Sequence, residues 1–212
     1  MTDKSKEAAG GDSRRPEIFH VAARLFHEKG FAQTSMSDIS AALGLTKAGL
    51  YHHILSKEQL LLAIFNYGLD LLEREVVQPV AEISDPEEKL RRLIQKHIQL
   101  ILQKRFHEIT VILHENRTLH GKSLDQINQR KKKYIRFLEN ILADIARKNP
   151  RGKIQPKLGA FALLGMINWL YQWYNPRGPV SQDELTEQFT ELFLRGYGTG
   201  GAASPSSPRA AR

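Results

Sequence analysis

Apolar residues recur at intervals of three and four along nearly the whole chain, whereas the two-residue alternation typical of β-strands is scarce. Helix-end signals divide this pattern. Gly30 follows the first apolar stripe, and residues 85–88 (Asp-Pro-Glu-Glu) combine a cap, a proline at the first position and acids in the first turn. The segments between such signals predict about nine helices and no sheet. The expected fold class is therefore all-α.

The two ends of the chain differ from its middle in composition. Residues 1–13 are rich in Lys, Asp, Gly and Ser, and residues 198–212 consist mainly of Gly, Ser, Pro and Ala. Neither composition supplies enough apolar surface to offset the entropy lost on ordering. We expect a disordered arm at the start and a disordered tail at the end.

Residues 37–57 read SDISAALGLTKAGLYHHILSK, which is two short amphipathic segments joined at Gly44. Gly44 permits a tight turn, and Thr46 is positioned to cap the second segment. Ile39 and Leu50 are spaced so that both segments can pack on the preceding helix. The pattern predicts a helix-turn-helix, in which the second helix enters the major groove of DNA.

The sequence around this motif resembles the TetR family of bacterial regulators (TetR/AcrR type). The matching motifs are LFHEKGF at 25–31, TSMSDISAALGLTKAGLYHH at 34–53 and SKEQL at 56–60. The resemblance covers residues 16–65, and at Ile54, where the family often has Phe, an apolar side chain is retained. It implies a transcriptional regulator, most often a repressor, with a DNA-binding domain over 14–60 and a ligand-binding and dimerisation domain over 61–197.

The resemblance also implies which side chains contact DNA. Thr34 and Ser37 are expected to anchor phosphates, and Lys57 is expected to clamp a phosphate from the positive end of the long helix that follows. The other expected contacts lie on the second helix of the motif: Thr46, Lys47, Ala48, Gly49, Tyr51, His52 and His53. Structural roles remain open for Tyr51 as a packing residue, His53 as a helix cap and Lys57 as a helix-start residue.

A homodimer is expected because one helix-turn-helix reads only a few base pairs. Two copies spaced by about 34 Å, or a multiple of it, read a specific operator. The resemblance implies that the last two helices of each subunit form a four-helix bundle. The candidate interface residues are Phe161, Leu164, Ile167, Leu170, Tyr171, Leu185, Phe189, Leu192 and Phe193. The alternative is that these residues form the core of one subunit.

The middle helices are expected to enclose a pocket for a small-molecule effector, as the resemblance implies. The candidate lining residues are Phe106, Thr110, Leu113, His114, Arg117, Tyr134, Phe137, Trp169 and Trp173. For each of them an ordinary place in the core is the alternative.

Basic charge is concentrated in the middle of the chain. The formal charge is +8, but residues 89–157 alone carry +13, including the run Arg130–Lys133 and Arg136. Such a run is either a solvated helix face or a binding site for an anionic effector. The segment WLYQWYNPRGPVSQDEL at 169–185 is similar to TetR-type regulators that respond to acyl-CoA thioesters. We therefore expect acyl-CoA or another anionic amphiphile, with its acyl chain in the bundle and its phosphates at the basic side chains.

Other classes of protein are disfavoured by residues that the chain lacks. It has no Cys, so disulfides and thiolate metal sites are excluded. Its most apolar stretch, 158–174, is 17 residues long and includes Asn168 and Gln172, whereas a membrane span needs about 20 apolar residues. The first 15 residues are polar and lack the apolar core of a signal peptide. We expect a cytoplasmic protein that does not bind membranes.

Two alternative functions are weighed against the regulator. A metal-dependent enzyme would use His107 and His114, but these are seven residues apart and the His-Glu-x-x-His spacing of metalloproteases is absent. We expect no enzymatic activity, no metal and no cofactor. The second alternative is a helical interaction module that does not bind DNA, and salt-dependent DNA binding would distinguish it from a regulator.

Overall fold

The structure is a computed structural model that describes residues 14–102, 106–115, 118–148 and 155–198. When each interrupted helix is counted once, these residues form nine helices and contain no strand, which confirms the expected all-α class. The helices are α1 (Arg15–Lys29), α2 (Met36–Ala42), α3 (Lys47–His53), α4 (Lys57–Leu72), α5 (Pro86–Leu102), α6 (Phe106–His114), α7 (Gly121–Lys148), α8 (Pro156–Asn168) and α9 (Gln182–Gly198). The predicted arm and, apart from Gly198, the predicted tail lie outside the described residues.

Two helices continue beyond a local irregularity. α4 passes through a π-helical turn, Glu73–Val77, and ends with Gln78–Ala81. Pro79 follows the π turn and has no N–H for the regular ladder, which is a physical reason for the interruption. α8 gains one further turn, Leu170–Trp173.

The connection between α6 and α7 differs from the sequence pattern. The pattern predicts one helix from His107 to about Leu119, broken by Gly121, and the next from about Ser123, but α6 ends at His114 and α7 already begins at Gly121. Gly121 has φ +56°, in the left-handed region that glycine adopts without strain. The glycine predicted to end a helix therefore begins the next one.

The first three helices form a compact unit, which we call the reading unit (α1–α3). Ile18, Ala22 and Phe26 of α1 are buried together with Ile39 of α2 and Leu50 of α3. Their spacing of three and four places them on one face of α1, so the two short helices gain their stability from this shared core.

Both short helices begin at caps that residue spacing predicts: Ser35 with Asp38 three positions later resembles a capping box, and Thr46 is the expected cap of α3. The Ser35 hydroxyl accepts a hydrogen bond from the Asp38 amide at 3.1 Å, and the Asp38 carboxylate accepts one from the Ser35 amide at 2.8 Å. The Asp38 carboxylate also accepts a hydrogen bond from the Ser35 hydroxyl at 2.5 Å, and this bond, followed by the one from the Ser35 amide, lowers the pKa of Asp38. The Thr46 hydroxyl accepts from the Gly49 amide at 3.0 Å and caps α3. The helix-turn-helix is thus defined by local hydrogen bonds at both helix starts.

The other helices form the body of the molecule. α7 packs on α5 and on α8, and α9 packs on α5. α6 contacts both α1 and α4, so it joins the reading unit to the body.

The crossing of α4 and α6 depends on Gly68. A Cβ atom at this position would lie 2.5 Å from Cδ1 of Ile112 and 3.3 Å from the carbonyl oxygen of Glu108. Any side chain would therefore push the two helices apart or displace Ile112.

We expect Gly68→Ala to lower the free energy of unfolding by about 1–2 kcal/mol, although alanine favours helices, because overpacking outweighs helix propensity. Ile112→Val removes the clashing Cδ1 atom. The double variant should therefore lose less stability than the two single variants added together, which urea unfolding of all four proteins measures. Strictly additive losses would show that this contact does not set the helix spacing.

Candidate nucleic-acid interface and ligand cavity

The outward surface of the helix-turn-helix is polar, and Leu50 anchors it to the core beneath. Leu50 is fully buried. Six of the predicted DNA-contact residues are exposed: Ser37, Thr46, Lys47, Ala48, Tyr51 and His52. Gly49 and His53 are half-buried. The surface therefore presents hydroxyl, amine and imidazole groups together, a set suited to phosphates and base edges.

Two positions on α3 show why particular residue types occur there. A Cβ atom at Gly49 would lie 3.2 Å from the hydroxyl oxygen of Thr46, so a side chain there would crowd the cap of α3. Tyr51 is 38% exposed, which leaves part of its ring packed and part open. Packing and DNA contact are therefore compatible at Tyr51.

The phosphate contact predicted for Thr34 is wrong. Thr34 is only 1% exposed, and its hydroxyl donates to the carbonyl of Gly30 at 2.9 Å and approaches that of Leu25 at 3.3 Å. The Thr34 hydroxyl is therefore used as a hydrogen-bond donor to backbone carbonyls at the end of α1. Thr34 holds the reading unit together instead of facing DNA.

The phosphate clamp predicted for Lys57 is also replaced by an internal role. Its amine donates to the carbonyls of Phe31 and Thr34, both at 2.9 Å, and to that of Ala32 at 3.4 Å. It also lies 4.4 Å from the centroid of the Phe31 ring. Lys57 ties the start of α4 to the turn between α1 and α2, close to the helix-start role that the sequence left open.

We expect Lys57→Met to lower the free energy of unfolding by about 1–3 kcal/mol, because carbonyls that accept from a charged amine lose their donor. Lys47→Met is the matched control, since Lys47 is exposed on α3. It should change stability by less than about 0.5 kcal/mol while weakening DNA binding. Denaturant unfolding of both variants separates the roles, and equal stability of the two would contradict the internal role of Lys57.

Two carboxylates from α6 and the turn after it bind the reading unit. Glu108 is buried, and its carboxylate lies 3.2 Å from Nδ1 of His20 in α1. Glu115 accepts a hydrogen bond from the Phe31 amide at 3.2 Å. The rings of His107 and His20 lie 5.8 Å apart, and burial is the main cause that lowers the pKa of His107. Any displacement of α6 therefore acts directly on the reading unit.

The sequence-based alternative of a metal enzyme used His107 with His114. His107 packs against α1, and the side chain of His114 lies outside the described residues. In the part of the chain that the structure describes, no group of three or more His, Asp or Glu side chains is arranged to hold a metal ion. Within the same residues, no helix is both long enough and apolar enough to cross a membrane.

A cavity of about 450 Å³ lies between α4, α5, α6, α7 and α8. Its lining residues are Gly68, Leu69, Leu72, His97, Ile109, Ile112, Leu113, Lys131, Tyr134, Ile135, Phe161, Leu164, Gly165 and Asn168. Most of the wall is apolar, with a few polar groups placed within it. A concave site of this size and composition is typical of small-molecule binding.

The polar groups of the cavity come mainly from α5 and α7. Nδ1 of His97 lies 2.9 Å from the Tyr134 hydroxyl, and burial lowers the pKa of His97 to about 4 while raising that of Tyr134. Both are therefore neutral at pH 7. Lys131 donates to the carbonyl of Ile112 at 2.9 Å, and burial lowers its pKa to about 8. Among the described lining residues, Lys131 alone has a side chain that is charged at neutral pH.

Two of the predicted pocket residues, Leu113 and Tyr134, line this cavity. Trp169 and Trp173 do not line it: these side chains are 59% and 54% exposed on the surface of the body, and their role in ligand binding stays a prediction. Thr110 and Phe137 are not among the lining residues. The predictions for Phe106, His114 and Arg117 concern side chains outside the described residues.

Sequence reasoning missed Lys131 and His97 as cavity residues. Lys131 stands in a run of four basic residues that a helix face in solvent would explain equally well. Its helical phase provides a signal: it lies three residues before Tyr134 and seven before Leu138, both buried. Arg130, four residues before Tyr134, is half-buried as well, so helical phase places both Arg130 and Lys131 on the buried side of α7.

Basic side chains of α7 flank a smaller depression of about 260 Å³ that shares Leu69, Leu72 and Tyr134 with the cavity. We call Arg130, Lys133 and Arg136 the basic rim. Arg130 donates to Asp70 at 2.6 Å, and Lys133 donates to Glu73 at 3.2 Å, so both bridge α7 to α4. Arg136 is exposed beside Lys133. The apolar cavity therefore adjoins three basic side chains, of which Arg130 and Lys133 are paired with carboxylates of α4.

One side of α8 and its extension is apolar and exposed. We call this surface the α8 face; it comprises Leu158, Phe161, Gly165, Trp169 and Trp173. These positions recur at intervals of three or four, which places them on one side of a helix. Such a patch of large apolar side chains marks an interaction site more often than ordinary surface.

The predicted dimer residues only partly coincide with this exposed surface. Phe161 and Leu192 are exposed, and Tyr171 and Phe189 are half-buried. The prediction is wrong for five residues that are buried within the subunit: Leu164, Ile167, Leu170, Leu185 and Phe193. These five belong to the core, which is the alternative that the sequence left open.

Two family profiles match the chain. The profile described as "Bacterial regulatory proteins, tetR family" matches residues 18–64, and that described as "Tetracyclin repressor-like, C-terminal domain" matches residues 84–197. The first match covers most of the reading unit and the start of α4. The second covers the helical body from just before α5 to within α9.

Relatives and solved structures extend this similarity to most of the chain. The chain is 26% identical to the HTH-type transcriptional repressor KstR2 of Mycolicibacterium smegmatis over 195 residues, covering 87% of this chain and 90% of the relative. It is 40% identical to AibR, whose crystal structure in complex with isovaleryl coenzyme A and operator DNA gives a TM-score of 0.78 over 84% of this chain and 97% of AibR. For PfmR of Thermus thermophilus the identity is 31% and the TM-score 0.74, over 84% of this chain and 97% of PfmR.

Proposed function

The chain belongs to the TetR family of bacterial regulatory proteins, and from this we propose that it is a ligand-responsive transcriptional repressor that binds operator DNA as a homodimer. The observation that carries the proposal is the outward surface of α3. There Lys47, Tyr51 and His52 are exposed while Leu50 of the same helix is buried. A helix held in this way can enter the major groove without unfolding its support.

We assign DNA binding to residues 14–60 and ligand binding with dimerisation to residues 61–197. α4 begins in the first region and continues into the second, so the boundary lies within a helix. A helix shared in this way transmits changes in the body to the reading unit. No catalytic role is included in the proposal.

The proposed effector is an acyl-CoA thioester. The apolar cavity is suited to the acyl chain, Lys131 supplies a donor for a carbonyl or an anion, and the adjoining basic rim supplies cations for the phosphates. AibR, which is 40% identical to this chain, was crystallised with isovaleryl coenzyme A. The proposal gives a function to the excess of basic side chains far from the helix-turn-helix.

The proposed route of release passes through α6. This helix contributes Ile109 and Ile112 to the cavity wall, and it carries Glu108 against His20 of α1. A ligand that shifts α6 or tilts α4 alters the spacing of the two reading units in the dimer. Such a ligand releases DNA only under one condition. It must bind more tightly to the dimer whose reading units are spaced wrongly for DNA than to the DNA-bound dimer.

DNA binding is tested by fluorescence anisotropy with labelled duplexes from the region upstream of the gene for this protein. We expect binding at about 50 mM salt and roughly a tenfold or greater loss at about 200 mM, because phosphate contacts release counterions. A helical interaction module without DNA binding predicts no binding to any duplex at low salt, and that outcome would overturn the proposal.

The effector is tested with isovaleryl-CoA, coenzyme A and isovalerate added to the same complex. We expect isovaleryl-CoA to release the DNA and to raise the melting temperature of the free protein, and each half of the molecule alone to act more weakly. If the thioester has no effect while uncharged apolar compounds raise the melting temperature, the acyl-CoA assignment is wrong. The proposal that the protein is a DNA-binding repressor is unaffected by that outcome.

A further inference from the structure

The amine of Lys131 is held at a defined point on the cavity wall. It donates at 2.9 Å to the carbonyl of Ile112, one of the last four carbonyls of α6, which lack partners within their own helix. It also lies 5.2 Å from the centroid of the Phe65 ring. These contacts orient the amine beside the space that the proposed effector would fill.

Lysine reacts as a nucleophile only in its neutral form. Burial lowers the pKa of Lys131 to about 8, so a larger share of the amine is neutral near pH 7.5 than in an ordinary lysine. The next residue, Lys132, is exposed to solvent and does not line the cavity. The two neighbouring lysines thus differ in environment although they share one helix.

An acyl thioester is an electrophile with a good leaving group, and a bound thioester meets the amine without the entropy cost of a second encounter. On the basis of the proposed acyl-CoA effector, we propose that Lys131 is an acylation site. The amine nitrogen attacks the thioester carbonyl and forms an amide bond, and the bond between the carbonyl carbon and sulfur breaks. Coenzyme A leaves as a thiolate and takes up the proton released from the nitrogen.

Acylation at Lys131 would convert a reversible signal into a lasting one. The amide is neutral, so the carbonyl of Ile112 loses its charged donor at the end of α6. The acyl group remains in the cavity after free effector has gone. Because α6 also contacts the reading unit through Glu108 and Glu115, the modified protein is expected to stay in the released state.

The test is intact-protein mass spectrometry of the full chain after incubation with isovaleryl-CoA at pH 6 and at pH 8, followed by peptide mapping. We expect one isovaleryl group per chain, located at Lys131, and faster modification at pH 8. Lys131→Arg keeps the positive charge but replaces the amine by a guanidinium group, which is a poor nucleophile. This variant should not gain an isovaleryl group at position 131. Lys132→Arg is the matched control and should be modified like the wild type.

A thioether analogue of isovaleryl-CoA, which has no electrophilic carbonyl, separates binding from reaction. If isovaleryl-CoA and the analogue both raise the melting temperature but neither changes the mass, the acylation site is overturned and the proposed effector stands. Modification spread over surface lysines, at the same rate in Lys131→Arg, also overturns the site. If neither compound raises the melting temperature and no mass is gained, the proposed effector fails as well.

Discussion

Replacing Trp169 by glutamate is expected to convert the dimer into monomers and to weaken operator binding at least about 100-fold. Trp169 is 59% exposed on the α8 face and does not line the cavity. We infer that the exposed α8 face is the contact between the two subunits. In a twofold dimer the same surface of both subunits meets, so one substitution places two carboxylates in the apolar contact. Neither carboxylate has a partner there, and burying unpaired charge strongly disfavours association.

The loss of DNA affinity follows from the loss of linkage between the two reading units. In the dimer, binding of the first unit holds the second near its half-site, an effect that amounts to roughly 10²–10⁴ in affinity without any new contact. A monomer with an intact helix-turn-helix retains only the affinity for one half-site. The variant should therefore still bind DNA weakly at low salt, with little preference for a palindrome.

Analytical ultracentrifugation measures the first effect, and anisotropy with one-half-site and two-half-site duplexes measures the second. Leu55→Glu is the matched control for the association state, because Leu55 is a large exposed apolar residue in the turn between α3 and α4 and does not belong to the α8 face. It should remain dimeric. If the Trp169 variant is also a stable dimer with wild-type operator affinity, the α8 face is not the dimer contact.

The second large effect concerns acid stability. The free energy of unfolding should fall by about 3 kcal/mol as the pH is lowered from about 6.5 to about 4, owing to His97 alone. Burial lowers the pKa of His97 to about 4 in the folded protein, whereas the unfolded imidazole takes up a proton near its ordinary value of 6.5. Acid therefore favours the unfolded chain. The contribution of His97 is fully present above pH 6.5 and is lost as the pH falls towards 4.

His97→Gln tests this expectation, because glutamine does not titrate and can still form a hydrogen bond with the Tyr134 hydroxyl. Urea unfolding of both proteins at intervals between pH 4 and pH 7 should give a shallower dependence for the variant. Only the difference between the two curves is assigned to His97, since other groups titrate in both. Parallel curves over this range would show that His97 is not kept neutral by burial.

The reading unit was largely predictable from the sequence because its determinants are local. The Ser35–Asp38 box and the Thr46 cap join residues three apart, and the periodicity of α1 already indicates which side chains are buried. Hydrogen bonds over so short a span are implied by residue type and spacing alone.

The roles of Thr34 and Lys57 were mispredicted for a different reason. A hydroxyl or an amine on a binding motif is suited equally to a phosphate and to a backbone carbonyl, and residue type does not distinguish them. Lys57 reaches the carbonyl of Phe31, which is 26 positions earlier in the chain. That contact exists only because α4 returns to the turn after α1.

Local residue patterns were enough to specify the helical class, the caps of the short helices and the chemical groups presented by α3, since period and spacing act over a few residues. The outward position of Trp169, the burial of Leu164 and Ile167, and the place of Lys131 beside a cavity emerged only from the packing of the helices. Periodicity identifies an apolar face but not what covers it, because the covering helix, subunit or ligand lies far along the chain or outside it.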